Sequence, residues 1–240
     1  MSLPALKFVP SPNFRQGRNG QRLSLIVVHR CEGSGPGTVA YFQTREADVS
    51  AHFVIGEKGG WITQMVHLAD TAWHAVSFNG VSVGIEPAGY SKDGFDPDLL
   101  NTLAELVAYL CHYLQIPVRH ARGGVGPGIE SHWGLGKEGG GHQDPSTDPN
   151  WSPGVFLPLV QAAYDKADFN PNWLHSVDDG PTPCRLTPPA APGAPALDLD
   201  STYGVLAALE ALGEPNPVKL FQVAHKLDAD GDPGPVWPED

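Results

Sequence analysis

Apolar residues fall along the chain in short blocks, and the period of each block predicts its secondary structure. Residues 23–28 form a nearly continuous apolar run rich in β-branched side chains, which is typical of a strand buried on both faces. Shorter runs at 51–55, 60–65 and 81–86 predict three further strands. Lys58-Gly59-Gly60 predicts a hairpin turn between the first two of these, because glycine tolerates the backbone angles of tight turns.

One long helix is predicted with defined ends. Asp96-Pro97 marks its start, since Asp is a favoured N-cap and Pro is favoured at the first helical position. The helix should run to about Leu114. Apolar residues recur along it at three- and four-residue spacing and predict one face that packs on a core: Leu99, Leu103, Leu106, Val107, Leu110 and Leu114.

The remaining pattern completes the architecture. Shorter helices are predicted at 38–44 and 155–167, and Pro158 would then lie in the first turn of the second one. Residues 1–22 and 123–128 are predicted to be irregular. Strands separated by helices indicate an α/β fold, and we expect a central mixed β-sheet flanked by helices.

The composition changes towards the C-terminus. Proline and alanine dominate residues 176–197, which predicts a semi-rigid linker. Two short helical patterns follow, at 203–212 and 218–227. We therefore predict three parts: a main domain at 1–175, the linker, and a small helical module at 198–240.

Composition and charge exclude several classes of function. Of the 240 residues, 41% are hydrophobic, which is enough for a packed core, and the formal net charge is −12. An acidic chain is a poor ligand for nucleic acid, so we expect no nucleic-acid partner. The chain shows no apolar run long enough for a membrane span and no signal-peptide pattern, so we expect a protein held in the cytoplasm until release. Three cysteines without CxxC spacing predict no disulfide framework.

Three separate stretches carry side chains that ligate metals. The first apolar run ends at His29, and Ser131-His132 and the segment from His142 to Pro145 supply further histidines and an aspartate. Catalytic zinc sites typically use three protein ligands and leave a fourth position for water. The combination predicts a metal-dependent hydrolase.

Short motifs in the same region point to a family. In chain order they are VVH at Val27–His29, SAHFVI at Ser50–Ile55, TAWHA at Thr71–Ala75, SVGIE at Ser82–Glu86 and HQDP at His142–Pro145. With these motifs the chain resembles the zinc-dependent N-acetylmuramoyl-L-alanine amidases of the type-2 amidase and peptidoglycan-recognition-protein superfamily, which includes many phage endolysins. The resemblance spans roughly residues 10–165.

This resemblance implies a zinc site with a catalytic pair beside it. His29, His132 and Asp144 would be the Zn²⁺ ligands. Glu86 would be the general base that takes a proton from water. His142 would stabilise the oxyanion.

The spacing of the later ligands leaves a second register open. Asp144 follows His132 by 12 residues, slightly more than is usual in the family, and the glycine-rich segment 134–141 can absorb the extra length as a loop. The competing register would use His142 and Asp148 as ligands instead.

The family motifs also supply residues expected around the centre. By the resemblance, His52, His74 and Trp73 would line the substrate cleft or support it, and the sequence leaves both roles open. Pro87 follows Glu86, so the strand that carries Glu86 is expected to end there or to lie at a sheet edge.

The function that the resemblance implies is cleavage of the amide bond between N-acetylmuramic acid and L-alanine in peptidoglycan, for cell-wall lysis of the endolysin type. Two alternatives stay open: a peptidoglycan-binding protein without activity, and a zinc peptidase that cuts within the stem peptide. The expected partner is peptidoglycan, with no membrane insertion and a monomeric state. The tail from Val218 to Pro235 resembles part of small helical peptidoglycan-binding modules.

Overall fold

The computed structural model of the chain describes most of the predicted main domain. The described residues are 3–145, 151–166, 168–170 and 172–174. The predicted linker at 176–197 and the predicted module at 198–240 lie outside them.

A six-stranded mixed sheet forms the centre of this domain. Eight strands are described: β1 (Leu6–Phe8), β2 (Phe14–Arg15), β3 (Leu25–Val28), β4 (Phe53–Ile55), β5 (Ile62–Gln64), β6 (Thr71–Ala72), β7 (Ser82–Pro87) and β8 (Gly128–Ser131). The order in the large sheet is β1-β5-β4-β7-β3-β8, and β2 pairs with β6 in a small antiparallel ribbon. Only the β4–β5 hairpin is antiparallel in the large sheet, so the predicted hairpin and the predicted mixed sheet are both confirmed.

Strand β3 is buried on both faces, as its apolar run predicts. Ile26 and Val28 pack in the core that contains the long helix. Leu25 and Val27 face the opposite side, where they pack with Leu135 and its neighbours. Because side chains alternate along a strand, the next residue of the Leu25–Val27 face is position 29.

Three α-helices of the described residues flank the sheet: α1 (Gly35–Phe42), α2 (Pro97–Leu114) and α3 (Pro153–Lys166). Helix α2 has the predicted ends: the Asp96 carboxylate accepts from two backbone N–H groups of the first turn, and the helix stops at Gln115 in the left-handed conformation. No helix of the described residues is both long enough and apolar enough to cross a membrane.

Several boundaries differ from the predicted ones. Helix α1 begins three residues earlier than predicted, because the Ser34 hydroxyl caps it by accepting from Gly37 N–H. Helix α3 begins two residues earlier, with Ser152 before Pro153, so Pro158 lies beyond the first turn and that prediction is wrong. Residues 1–22 are not wholly irregular, since they include β1 and β2.

Candidate metal centre

Three neighbouring parallel strands bring the first candidate residues together. In the strand register, Val28 of β3 lies opposite Ile85 of β7 and Ser131 of β8. The next position along each strand is His29, Glu86 and His132 respectively. Because parallel strands end at the same sheet edge, these three side chains meet on the Leu25–Val27 side of the sheet, opposite α2. The fold therefore assembles residues that are far apart in the chain.

Asp144 reaches the same point from a glycine-rich loop. Its backbone carbonyl accepts from Trp133 N–H at 2.9 Å, and its carboxylate accepts from Arg30 N–H at 3.1 Å. Burial alone would raise the pKa of Asp144, but its contacts with the His132 and His29 imidazoles outweigh burial and hold that pKa well below the usual range. The carboxylate is therefore ionised.

The ligating atoms of His29, His132 and Asp144 lie within 4.8 Å of one another. Nδ1 of His29 is 2.9 Å from Nδ1 of His132, and the Asp144 oxygens are 3.5 Å and 3.1 Å from these two nitrogens. Two ligands at zinc distances from a tetrahedral ion are roughly 3.3 Å apart. The spacing of the three side chains thus fits one small divalent cation.

A hydrogen bond fixes the tautomer of His132. Its Nε2 lies 2.9 Å from the carbonyl oxygen of Gly139. A carbonyl only accepts hydrogen bonds, so Nε2 carries the proton and Nδ1 of the neutral ring carries a lone pair. That lone pair points at the other ligating atoms.

A chain of hydrogen bonds fixes the tautomer of His29, which also carries its proton on Nε2. The Ser82 hydroxyl donates to the carbonyl of Phe78 at 2.7 Å, so its oxygen accepts from Nε2–H of His74 at 3.1 Å. Nδ1 of His74 then has no proton and accepts from Nε2–H of His29 at 2.9 Å. This arrangement leaves a lone pair on Nδ1 of His29 as well.

With both rings neutral, the two Nδ1 lone pairs face each other beside an ionised carboxylate, an arrangement that a positive charge among them stabilises. A proton on His29 does not fill this role at neutral pH, because burial lowers the pKa of His29 to about 4. Imidazole and carboxylate ligands with oriented outer N–H groups suit zinc and similar cations. The donor set therefore fits a divalent metal.

Glu86 lies beside this donor set. Its Oε1 is 3.8 Å from Nδ1 of His29, and its Oε2 is buried without a hydrogen-bond partner among the described residues. Burial, and then the negative charges of Asp144 and Glu32, raise the pKa of Glu86 well above its usual range. Strand β7 continues through Pro87 and lies inside the sheet, so the expectation that it ends at Glu86 or forms an edge is wrong. The Pro87 carbonyl still accepts from Cys31 N–H.

A cleft of about 380 Å³ opens over the centre. His142, Trp73 and His74 line it together with the three candidate ligands and Glu86. The His142 ring stacks on His132, with centroids 4.4 Å apart and planes 17° apart. The cleft therefore gathers both residues predicted as catalytic, Glu86 and His142, and two of the three predicted as cleft residues.

His52 lies behind the cleft instead. It is fully buried, its Nδ1 accepts from Gly84 N–H at 3.0 Å, and Arg18 lies 2.8 Å from its Nε2. Burial, and then the charge of Arg18, lower the pKa of His52 well below its usual range. These contacts give His52 a supporting position.

Two residues that sequence reasoning missed hold His74 in place. Ser82 orients its ring, and the Asn79 side chain accepts from the backbone N–H groups of His74 and Ala75 at 2.9 Å and 2.6 Å. Ser82 begins the SVGIE motif, but only the tertiary structure shows which ring it faces.

The competing ligand register involves Asp148, which lies outside the described residues. Within the part of the chain that the structure describes, the potential metal-binding group is His29, His132 and Asp144. His142 is exposed and stacks on this group from the cleft side.

Comparison with known proteins places the chain in a family. A family model described as N-acetylmuramoyl-L-alanine amidase matches residues 19–154. N-acetylmuramoyl-L-alanine amidase A of Achromobacter lyticus is 34% identical over 123 residues, which are 50% of this chain and 67% of that protein. The 1,6-anhydro-N-acetylmuramyl-L-alanine amidase AmpD of Haemophilus influenzae is 32% identical, over 41% of this chain and 67% of that protein.

Among solved structures, the Staphylococcus aureus hydrolase AmiA, crystallised in complex with its ligand, has the same fold. It aligns with a TM-score of 0.57 at 17% identity, over 74% of this chain and 89% of that chain. The resemblance that the sequence motifs indicate is thus confirmed, and the chain belongs to the N-acetylmuramoyl-L-alanine amidase family.

Proposed function

We propose that this protein is a zinc-dependent hydrolase that cleaves the amide bond between N-acetylmuramic acid and L-alanine in peptidoglycan. The observation that carries the proposal is the pair of opposed Nδ1 lone pairs of His29 and His132 beside the Asp144 carboxylate, with Glu86 next to them in an open cleft. Family membership and the names of the two relatives support the choice of bond.

The residues that would hold zinc are His29 and His132 through Nδ1 and Asp144 through its carboxylate. When bound, the metal supplies Lewis-acid chemistry: it polarises a carbonyl and makes water more acidic. The Nε2–H of each candidate histidine ligand already donates a hydrogen bond: His29 donates to Nδ1 of His74, and His132 donates to the Gly139 carbonyl. Both rings are therefore oriented before a metal arrives.

Glu86 and His142 would perform the proton and charge chemistry. Oε2 of Glu86, which has no partner among the described residues, is free to accept the proton of the attacking water and to pass it to the leaving amine of L-alanine. His142 faces the cleft from its stack on His132 and would donate an N–H to the developing oxyanion.

The proposal is tested by digestion of purified peptidoglycan with the zinc-loaded protein and with the chelated protein, and by mass spectrometry of the products. We expect free stem peptides that begin at L-alanine, and their loss on chelation. Cuts inside the stem peptide would identify a peptidase instead. Binding to the wall without any product would identify a recognition protein.

We further propose an endolysin-like setting, in which the protein acts on the intact wall after its release from the cytoplasm. The alternative setting is recycling of soluble wall fragments inside the cell. Parallel assays on intact sacculi and on soluble 1,6-anhydromuramoyl peptides separate the two. Faster release from sacculi supports the lytic setting, and activity confined to the soluble fragments contradicts it.

Replacing His74 should weaken zinc binding. His74→Leu removes the acceptor that orients His29, and loss of such an outer-shell partner typically costs about 10–100-fold in metal affinity. Competition with a chromogenic chelator measures the change. His67→Leu is the matched control, because His67 stacks on Phe8 and does not line the cleft. Equal zinc affinity of wild type and His74→Leu would contradict the orienting role.

Replacing His142 should slow hydrolysis without loss of metal. Removal of one oxyanion donor costs on the order of 100-fold in kcat. His142→Ala should therefore keep its zinc affinity and lose about this factor in stem-peptide release. Loss of zinc from His142→Ala, and from Asp148→Asn as well, would favour the competing register.

A further inference from the structure

Val76 has an unusual backbone conformation. Six non-glycine residues in the described part of the chain have positive φ: Asn19, Glu32, Asp48, Lys58, Val76 and Gln115. Val76, with φ of 48°, is the β-branched one among them, and branching at Cβ makes the left-handed region especially unfavourable. A valine is therefore a costly residue at this position.

The turn around Val76 explains the backbone conformation. Asn79 accepts from the N–H groups of His74 and Ala75, and its own N–H donates to the Val76 carbonyl at 3.3 Å. These bonds hold His74 against His29, and the backbone at position 76 must adopt the conformation that this turn requires. They account for the positive φ, which glycine or asparagine would adopt more easily, but they do not account for an isopropyl side chain.

Packing does not account for the side chain either. Val76 is 63% exposed and belongs to none of the buried clusters of the described residues. It lines the cleft, and its Cγ2 and the His142 ring both approach Gly140: a Cβ built there would lie 3.3 Å and 3.0 Å from them. Val76 and His142 thus both approach Gly140 on the cleft wall.

We propose that Val76 contacts substrate, and that its isopropyl group receives a methyl group next to the scissile amide. This inference rests on the proposed function. A branched aliphatic side chain offers apolar contact and no hydrogen bond. The scissile amide has two such methyl groups beside it, the lactyl methyl on the acyl side and the L-alanyl methyl on the amine side. A contact between Val76 and the substrate would explain why a strained valine is kept in the cleft.

The first test compares Val76→Gly with wild type. Glycine relieves the strained backbone, so we expect Tm to rise by about 2–4 °C. We expect kcat/KM for stem-peptide release to fall on the order of tenfold, the effect of losing a methyl-sized apolar contact. Val76→Asn, which keeps the size and tolerates positive φ, should show the same loss of kcat/KM.

Gln115→Gly is the matched control. Gln115 also has positive φ, at 57°, but it is exposed at the end of α2 and does not line the cleft. This variant should keep the wild-type kcat/KM.

Substrate analogues then identify the methyl group. One analogue carries glycine in place of L-alanine, and the other carries a glycolyl ether in place of the lactyl ether. The methyl that Val76 contacts is the one whose removal makes wild type and Val76→Gly equally fast. A lower Tm for Val76→Gly would assign Val76 to packing and overturn the inference. An unchanged kcat/KM for Val76→Gly would also overturn it. So would a difference in kcat/KM between wild type and Val76→Gly that stays the same on both analogues. Failure of wild type to release stem peptides would overturn the proposed function itself, and the Tm comparison would still stand.

Discussion

Glu86→Gln should retain zinc and lose nearly all hydrolysis. The substitution keeps the size of the side chain, and because Oε2 has no partner among the described residues, the amide breaks no hydrogen bond there. An amide cannot take a proton from water, and general-base catalysis contributes about 10²–10⁴-fold. We therefore expect stem-peptide release to fall on the order of 10³-fold, measured by mass spectrometry at saturating zinc.

The pH dependence of the wild type gives an independent measure of the same group. A general base works only when ionised, so activity should be lost as pH falls through the pKa of Glu86, which burial and the nearby carboxylates raise. A bound cation opposes this shift because it stabilises the ionised form.

Glu32→Gln is the matched control for Glu86→Gln. Glu32 also lines the cleft, but it accepts from Ser91 N–H at 2.9 Å. Removing its charge should leave activity at neutral pH intact. The acid limb of the pH–activity profile should move to lower pH, because Glu32 contributes to the raised pKa of Glu86. Full activity of Glu86→Gln, or loss of its zinc, would contradict the role of Glu86 as base.

Local sequence signals predicted the parts of the fold that have local causes. The buried strand ending at His29 follows from a run of β-branched residues, and α2 follows from Asp96-Pro97 and its apolar face. Helix α3 carries the same kind of start at Ser152-Pro153, which the apolar period alone did not reveal. The three-residue strand β1 is too short to show a period, and its pairing with β5 is a tertiary property.

The residues of the candidate site also fall into two groups: those with a local sequence signal and those whose role depends on tertiary structure. The family resemblance indicated the three candidate ligands, Glu86 and His142, and all of these except His132 lie in one of the quoted motifs. The roles of His74 and Ser82 depend on hydrogen-bond direction between distant segments, and no spacing in the sequence encodes it. The strained conformation of Val76 likewise comes from the turn that Asn79 closes.

Asp144→Asn should abolish zinc-dependent stabilisation and leave a protein that still folds without metal. The asparagine oxygen can still accept from Arg30 N–H, and its NH₂ group can donate to the Nδ1 lone pair of His132 across the present 3.1 Å contact. The side chain thus keeps hydrogen-bond partners when no metal is present. The metal-free variant should therefore fold, but it should be no more stable than metal-free wild type, because it lacks the carboxylate whose pKa the two imidazoles lower.

With zinc, wild type should be far more stable than the variant. A ligand present at 1,000 times its Kd stabilises the folded state by about 4 kcal/mol, which corresponds to a rise in Tm on the order of 10 °C for a domain of this size. Wild type should show this rise in calorimetry, and Asp144→Asn should show almost none. Asp48→Asn, which changes another cleft carboxylate outside the donor set, should behave as wild type. A full zinc-induced rise in Asp144→Asn would exclude Asp144 as a ligand and favour the competing register with His142 and Asp148.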